Sequence, residues 1–278
     1  MSLLQIKIDE IIKTALMEDI NYMDITSDYL LGDDNMSSAN FIAKSNGVIC
    51  GVDIAARVFS IIDNKILIQK LLFDGCKVKA GDVILTVRGS TKSILKAERT
   101  ALNLIQHLSG ISSMTARCVK LVSGTNASIT DTRKTIPGMR ALQKYAVAIG
   151  GGKNHRFNLS DCVMIKDNHI DALGGITKAI DLIKNKIGHT VKIEVETRNL
   201  AEVREAVSCG ADIIMLDNMR YDMIKKAVKI IDSKAKTEAS GNITEENLLE
   251  VAKTGVDIIS LGALTHSVRA FDISLKIS

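Results

Sequence analysis

Apolar residues in the second half of the chain fall into six short runs that each end on a polar or small residue: Ile129 to Arg133, Val163 to Asp167, Val191 to Glu196, Ile213 to Asp217, Thr237 to Ser240 and Ile258 to Gly262. Runs this short suit strands, and helical patterns lie between most of them. One of these helices has Asn199 as its N-cap with Glu202 three residues later, and Gly210 as its terminator. The next repeats the unit, with Thr244 before it and Gly255 after it. Strand, helix, strand at spacings of roughly twenty to thirty residues predicts parallel strands joined by right-handed crossovers. Six units fall short of a closed eight-stranded barrel of ~250 residues, so an open, incomplete β/α barrel is expected.

The first half has another texture. Leu4, Ile8, Ile11, Ile12, Ala15 and Leu16 recur at helical spacing, and an acidic turn, Glu18 to Thr26, follows. Between Ser38 and Arg88, short β-branched runs (Phe41 to Ala43, Val48 to Cys50, Ile66 to Leu72, Val83 to Val87) alternate with glycine turns, with one helix from Asp53 to Ile62. This predicts a small antiparallel sheet. Ile94 to Val122 is the longest helical pattern, with Gly110 as an expected interruption. The predicted organisation is α/β: an N-terminal α/β sandwich domain over 1–110, rejoined by 267–278, and a C-terminal open barrel over 111–266.

Composition narrows the classes. A net charge of +4 and 3% aromatic residues leave little for a nucleic-acid surface. No apolar run approaches the ~20 residues that span a bilayer, and the N-terminus lacks the pattern of a secretion signal. Cys50, Cys76, Cys118, Cys162 and Cys209 show no C-x-x-C pair or zinc spacing, which suits reduced thiols and a cytoplasmic protein.

Chemistry concentrates between Asp131 and Ile170, where Arg133, Lys134, Arg140, Lys144, Lys153, His155, Arg156, Lys166 and His169 crowd together. Aligning the six strand ends adds Glu196, Asp217, Ser240-Gly241-Asn242 and Gly262-Ala263 to the same edge, where β/α barrels bind their ligands. Planar guanidinium forks at Arg133 and Arg156 suit carboxylates. The small-residue turns at Ser240-Gly241 and Gly262-Ala263 suit a phosphate. Glu196 and Asp217 could hold Mg²⁺ or stabilise a developing positive charge. Taken singly, each has a plain structural role: Glu196 and Asp217 as counter-charges, Lys166 as an ion-pair partner, the histidines as loop hydrogen-bonders, and Arg99 as a solvated helix arginine. The Gly150-Gly151-Gly152 run matches neither the dinucleotide nor the P-loop spacing. Their convergence on one edge points to an anion pocket.

The motifs DTRKT-x-PG-x-R, GGG-x-NHR, IKDNH, E-x-E-T, DIIMLDN, E-x-SG-x-I and GVDIISLGALTHS, with EDI-x-x-x-DIT and AERTALN-x-x-Q-x-LSGI before them, closely resemble the quinolinate phosphoribosyltransferase family. The resemblance runs in order from about Met17 to the C-terminus. It implies a sandwich domain, an open barrel, and a reaction that converts quinolinate and phosphoribosyl pyrophosphate to nicotinate mononucleotide, pyrophosphate and CO₂ with Mg²⁺. It implies that Arg133, His155, Arg156 and Lys166 bind the two carboxylates of quinolinate. Lys134 would contact phosphates or a carboxylate; Glu196 and Asp217 would face the ribose and the metal-bound pyrophosphate. Ser240, Gly241, Gly262 and Ala263 would cradle the 5′-phosphate. Arg99 would enter the pocket of a second subunit, which implies at least a homodimer. The chain departs from the family at Ile20-Asn21-Tyr22-Met23-Asp24, where glycines are usual. Three other readings start from the same residues: a transport-associated homologue of this fold, an aldolase with Lys166 as its Schiff-base lysine, and a nicotinate-using phosphoribosyltransferase, which needs no second carboxylate pocket.

Overall fold

The computed structural model describes residues 4–32 and 34–277. In chain order its elements are α1 (Gln5–Asp19), α2 (Ile25–Leu30), β1 (Met36–Ala43), β2 (Gly47–Val48), α3 (Val52–Ile62), β3 (Leu67–Lys70), β4 (Lys77–Val78), β5 (Val83–Ser90), α4 (Thr91–Leu121), β6 (Ser128–Thr130), α5 (Arg140–Ile149) and β7 (Val163–Ile165). There follow α6 (Asp167–Leu173), α7 (Ile176–Lys184), β8 (Ile193–Thr197), α8 (Leu200–Ser208), β9 (Ile213–Asp217), α9 (Tyr221–Ile231), β10 (Lys236–Ser240), α10 (Leu248–Ala252), β11 (Ile258–Ser260), α11 (Ala263–His266) and β12 (Ile273–Ile277). No described helix is long and apolar enough to cross a membrane.

Two compact units form. The first contains the described residues up to Ala116, Thr135–Gly151, and the chain from Leu264 onward. Its sheet has the order β12-β1-β5-β3. Strand β12 pairs antiparallel with β1, so the end of the chain lies beside its first strand. The acidic turn proves to contain a cap: the Asp24 carboxylate accepts the N–H of Ser27 and starts α2. Helix α4 runs through Gly110 without a break. The glycine is there for closeness, since a Cβ on it would lie 2.3 Å from the Arg269 carbonyl oxygen. Where α4 turns polar, Ser109 and Ser112 hydroxyls donate to the Cys50 and Val48 carbonyls. Of the run Val48 to Cys50 only Val48 lies in a strand, β2, and the Cys50 N–H is taken by the Ser109 hydroxyl of α4.

The second unit comprises Arg117–Lys134 and Gly152–Ala263. All six predicted strand runs are present, as a parallel sheet of order β6-β11-β10-β9-β8-β7. The earliest strand neighbours the latest, as in a sheet curled toward a barrel, while β6 and β7 stand at its two edges. An isolated parallel bridge from Thr130 to Lys153 extends the β6 edge.

The predicted boundaries differ from this division in one substantive respect. Thr135–Gly151, expected in the barrel, groups with the first unit. The triple glycine explains why: a Cβ on Gly150 would meet the Ser112 carbonyl oxygen at 2.5 Å, and Gly151 takes a φ of 88° to end α5. These glycines seat a helix end against α4. They are not a phosphate loop.

Candidate active site

Side chains alternate across a strand, so residues two apart share a face. In the second unit this alternation aligns Met164 with Lys166 at β7, Glu194 with Glu196 on β8, Met215 with Asp217 on β9, and Glu238 with Ser240 on β10. A cavity of about 650 Å³ opens at the C-terminal ends of the strands, lined from all of these positions except Glu194, and by Thr132, Arg133, Lys134, His155, Arg156, Asn218, Gly241, Asn242 and Ser260. Nine of the predicted site residues therefore converge: Arg133, Lys134, His155, Arg156, Lys166, Glu196, Asp217, Ser240 and Gly241. Gly262 and Ala263 follow β11 but do not line the cavity, and Arg99 lies on α4 in the first unit.

Asp131 builds the cationic wall. It is fully buried, and its carboxylate accepts the Asn154 amide at 2.7 Å and the His155 backbone N–H at 2.9 Å. The Lys153 N–H donates to the Ile129 carbonyl at 2.8 Å, so the loop runs as a short extra strand along β6. This places Arg133 and Arg156, 23 residues apart in sequence, at one mouth. The Arg156 guanidinium donates to the Cys162 carbonyl at 2.9 Å. Its Nε is buried without a hydrogen-bond partner among the described residues.

Facing this wall, Lys166 pairs with the carboxylate of Glu196. At the end of β9 the chain turns sharply. Asn218 has a φ of 52°, donates its side-chain amide to Asp217 at 2.8 Å, and accepts from the Asn242 amide at 2.9 Å. Its backbone N–H donates to the Ser240 carbonyl at 2.9 Å. Gly241, at φ 93°, must be glycine, because a Cβ there would fall 2.2 Å from the Asn218 side-chain oxygen. Asn242 also sits at φ 52°. Two asparagines and a glycine thus hold backbone in the left-handed region where Asp217 and Ser240 meet the cavity.

Below the mouth lies a group the sequence reading left out of the site. Glu194 and Glu238 are buried, and the Nε2 of His155 stands 3.0 Å from Glu194 Oε2 and 3.7 Å from Glu238 Oε1. Burial and the Glu194 charge push the Glu238 carboxyl up to about 7, against the opposing pull of His155. The signal was present as acids inside apolar strands, in E-x-E-T and E-x-SG.

Residues 24–109 match the family model for the quinolinate phosphoribosyl transferase N-terminal domain, and residues 111–276 match its C-terminal domain. The chain belongs to the quinolinate phosphoribosyltransferase family. It is 44% identical over 280 residues to a probable carboxylating nicotinate-nucleotide pyrophosphorylase of Bacillus subtilis, covering 100% of this chain and 95% of the relative. A mitochondrial decarboxylating quinolinate phosphoribosyltransferase of Nicotiana tabacum is 43% identical, over 96% of this chain and 81% of the relative. Among solved structures, NadC from Streptococcus pyogenes superimposes with a TM-score of 0.96 at 40% identity, covering 100% of this chain and 99% of that one. The mixed architecture of an antiparallel-sheet unit and a parallel-sheet unit is that of the family.

Proposed function

We propose that this chain is a decarboxylating quinolinate phosphoribosyltransferase, a pentosyltransferase of NAD biosynthesis. It joins quinolinate to phosphoribosyl pyrophosphate and releases nicotinate mononucleotide, pyrophosphate and CO₂. The observation that carries this reading is the single cavity in which Arg133, Lys134, Arg156 and Lys166 face Glu196 and Asp217. A dianionic ring acid fits the cations, and a ribose that develops positive charge fits the carboxylates.

Arg133, Arg156 and Lys166 orient the two carboxylates so that the ring nitrogen points at the ribose C1′, and His155 lines the same wall. The nitrogen lone pair forms the new bond as pyrophosphate leaves with the electrons of the old one. Glu196 and Asp217 stabilise the ribose as it gains oxocarbenium character. Once alkylated, the ring nitrogen carries a positive charge that stabilises the electron pair left on C2 as the carboxylate departs as CO₂, and that pair then takes a proton from water. Lys134 reaches the phosphates or a carboxylate from the same wall. The turn at Ser240-Gly241, which lines the cavity, holds the 5′-phosphate, and the family resemblance assigns Gly262-Ala263 after β11 to the same cradle. Carboxylate oxygens at strand ends are the hard donors that Mg²⁺ takes, so Glu196 and Asp217 fit the ion, directly or through pyrophosphate. When bound, it supplies charge neutralisation for the departing pyrophosphate.

The working unit is a homodimer or larger, in which Arg99 of one copy completes the cavity of another. The compartment is the cytoplasm, a reading supported by five free thiols. Purified protein given quinolinate, phosphoribosyl pyrophosphate and Mg²⁺ should yield nicotinate mononucleotide and CO₂, with no product when nicotinate replaces quinolinate. Product from nicotinate alone would overturn the assignment. Arg99→Ala and Lys166→Ala subunits, each inactive, should regain activity when mixed, since some shared sites are then whole. Mixed oligomers without activity would rule out donation in trans.

A further inference from the structure

His155, Glu194 and Glu238 bring three ligating atoms within 4.8 Å of one another in a buried cluster. The cluster walls the catalytic cavity off from a second cavity of about 390 Å³, and His155, Arg156 and Glu238 line both. A metal site and a proton-holding brace are both open to such a cluster, and one hydrogen bond decides between them. The backbone N–H of Arg156 donates to His155 Nδ1 at 2.8 Å. That nitrogen therefore carries a lone pair, and the ring proton resides on Nε2, between the two oxygens of Glu194 at 3.2 and 3.0 Å. A metal on Nε2 would need the proton on Nδ1, where the Arg156 N–H already points.

We propose that Glu194, backed by Glu238, is a positioning residue that acts through His155 to hold Arg156 for the substrate carboxylate. Glu194 accepts the Nε2 proton and sets the tautomer. The tautomer presents Nδ1 to the Arg156 backbone, and the Arg156 guanidinium enters the catalytic cavity. On this account His155 is a brace whose ring N–H is committed to the protein, and carboxylate recognition falls to Arg133, Arg156 and Lys166. Glu238, also buried, brings a second carboxylate oxygen to 3.7 Å from the same ring nitrogen. The sheet order makes this possible: β8 and β10 flank β9, so inward side chains from both reach the same ring. The role in substrate binding rests on the function proposed above; the brace itself does not.

The chain has five histidines, so ¹⁵N labelling of the imidazoles resolves the tautomer in the full-length protein, with His155→Gln to assign the signal. A protonated Nε2 and an unprotonated Nδ1 are expected, and a protonated Nδ1 would overturn the brace. In steady-state kinetics, Glu194→Ala should raise the KM for quinolinate by up to about 10²-fold, the cost of a 1 Å displacement of a substrate-holding group. The KM for phosphoribosyl pyrophosphate should stay unchanged. Glu194→Gln, which still offers an oxygen to Nε2, should restore most of the loss. Adding Glu194→Ala to His155→Ala should change nothing further, because the first residue acts through the second. Additive losses, a Gln variant as poor as Ala, or an equal rise in both KM values would each overturn the proposal. Should Glu194→Ala fail to fold, the Gln variant and the nitrogen signals still decide it. Should the substrate differ, the nitrogen signals still test the brace, so the two readings fail separately.

Discussion

Asp217 and Asp257 both stand at strand ends of the same parallel sheet, yet their surroundings are opposite. Asp257 precedes β11 at the N-terminal edge, and its carboxylate takes the N–H and hydroxyl of Thr237 at 2.9 and 2.7 Å and the Lys236 ammonium at 2.9 Å. Burial disfavours its charge, but the bonds from Lys236 and Thr237 outweigh that and hold its carboxyl below the usual range. Asp212, on the same edge, accepts the Ile193 N–H at 2.8 Å. At the C-terminal edge, Asp217 is held by the side chain of Asn218, itself in a strained turn, and faces an open cavity among four cations. One edge uses its acids to tie neighbouring strands together; the other turns Asp217 toward an open cavity. The barrel geometry sets this division, since loops at the C-terminal edge vary without disturbing the sheet.

The contrast yields four outcomes in decreasing size. Lys166→Ala or Arg133→Ala should lower turnover at subsaturating substrate by roughly 10³-fold or more, through loss of charge-assisted contacts worth about 1.5–3 kcal/mol each and of the positioning they give. Calorimetry should show the loss in quinolinate affinity, with the melting temperature nearly unchanged. Asp257→Ala should do the reverse: it leaves the Thr237 N–H buried without its acceptor and costs about 1–3 kcal/mol by denaturant titration, while both KM values hold.

Glu238→Gln should stabilise the ligand-free protein at alkaline pH by up to roughly 3 kcal/mol. The sign follows from a carboxyl pushed up to about 7 from 4.5. Between those values the folded chain binds the extra proton, so wild-type stability falls as pH rises through the window and the penalty is complete above it. Denaturation at pH 4 and pH 8 checks this, since the difference between variant and wild type should vanish at the lower pH. Lys236→Ala is the smallest. Its side chain is 64% exposed, so loss of the pair with Asp257 should cost under about 1 kcal/mol, which denaturation in low and high salt would register.

Much of this was legible along the chain because strand and helix periods are local. The run Ile193-Glu194-Val195-Glu196-Thr197 announces a strand with two acids on one face, and the same period puts Glu238 with Ser240. All six parallel strands, and nine of the site residues, follow from such runs and from the motifs at their ends. What period cannot reveal is which faces meet. That Glu194 and Glu238 share His155 depends on β9 lying between their strands, and nothing in either strand encodes that order. The same limit hid the role of Gly110, whose neighbour Arg269 is far along the chain. It also hid the place of Thr135–Gly151, where three glycines in a row read as a loop but seat a helix end. The sequence by itself determined the elements, the faces they present and the chemistry at their ends, because those depend on neighbours within a few residues. Only the tertiary structure decided which buried acid holds which histidine, which glycine is there for closeness, and which turn must bend to positive φ. Those depend on atoms that the chain brings together across long separations.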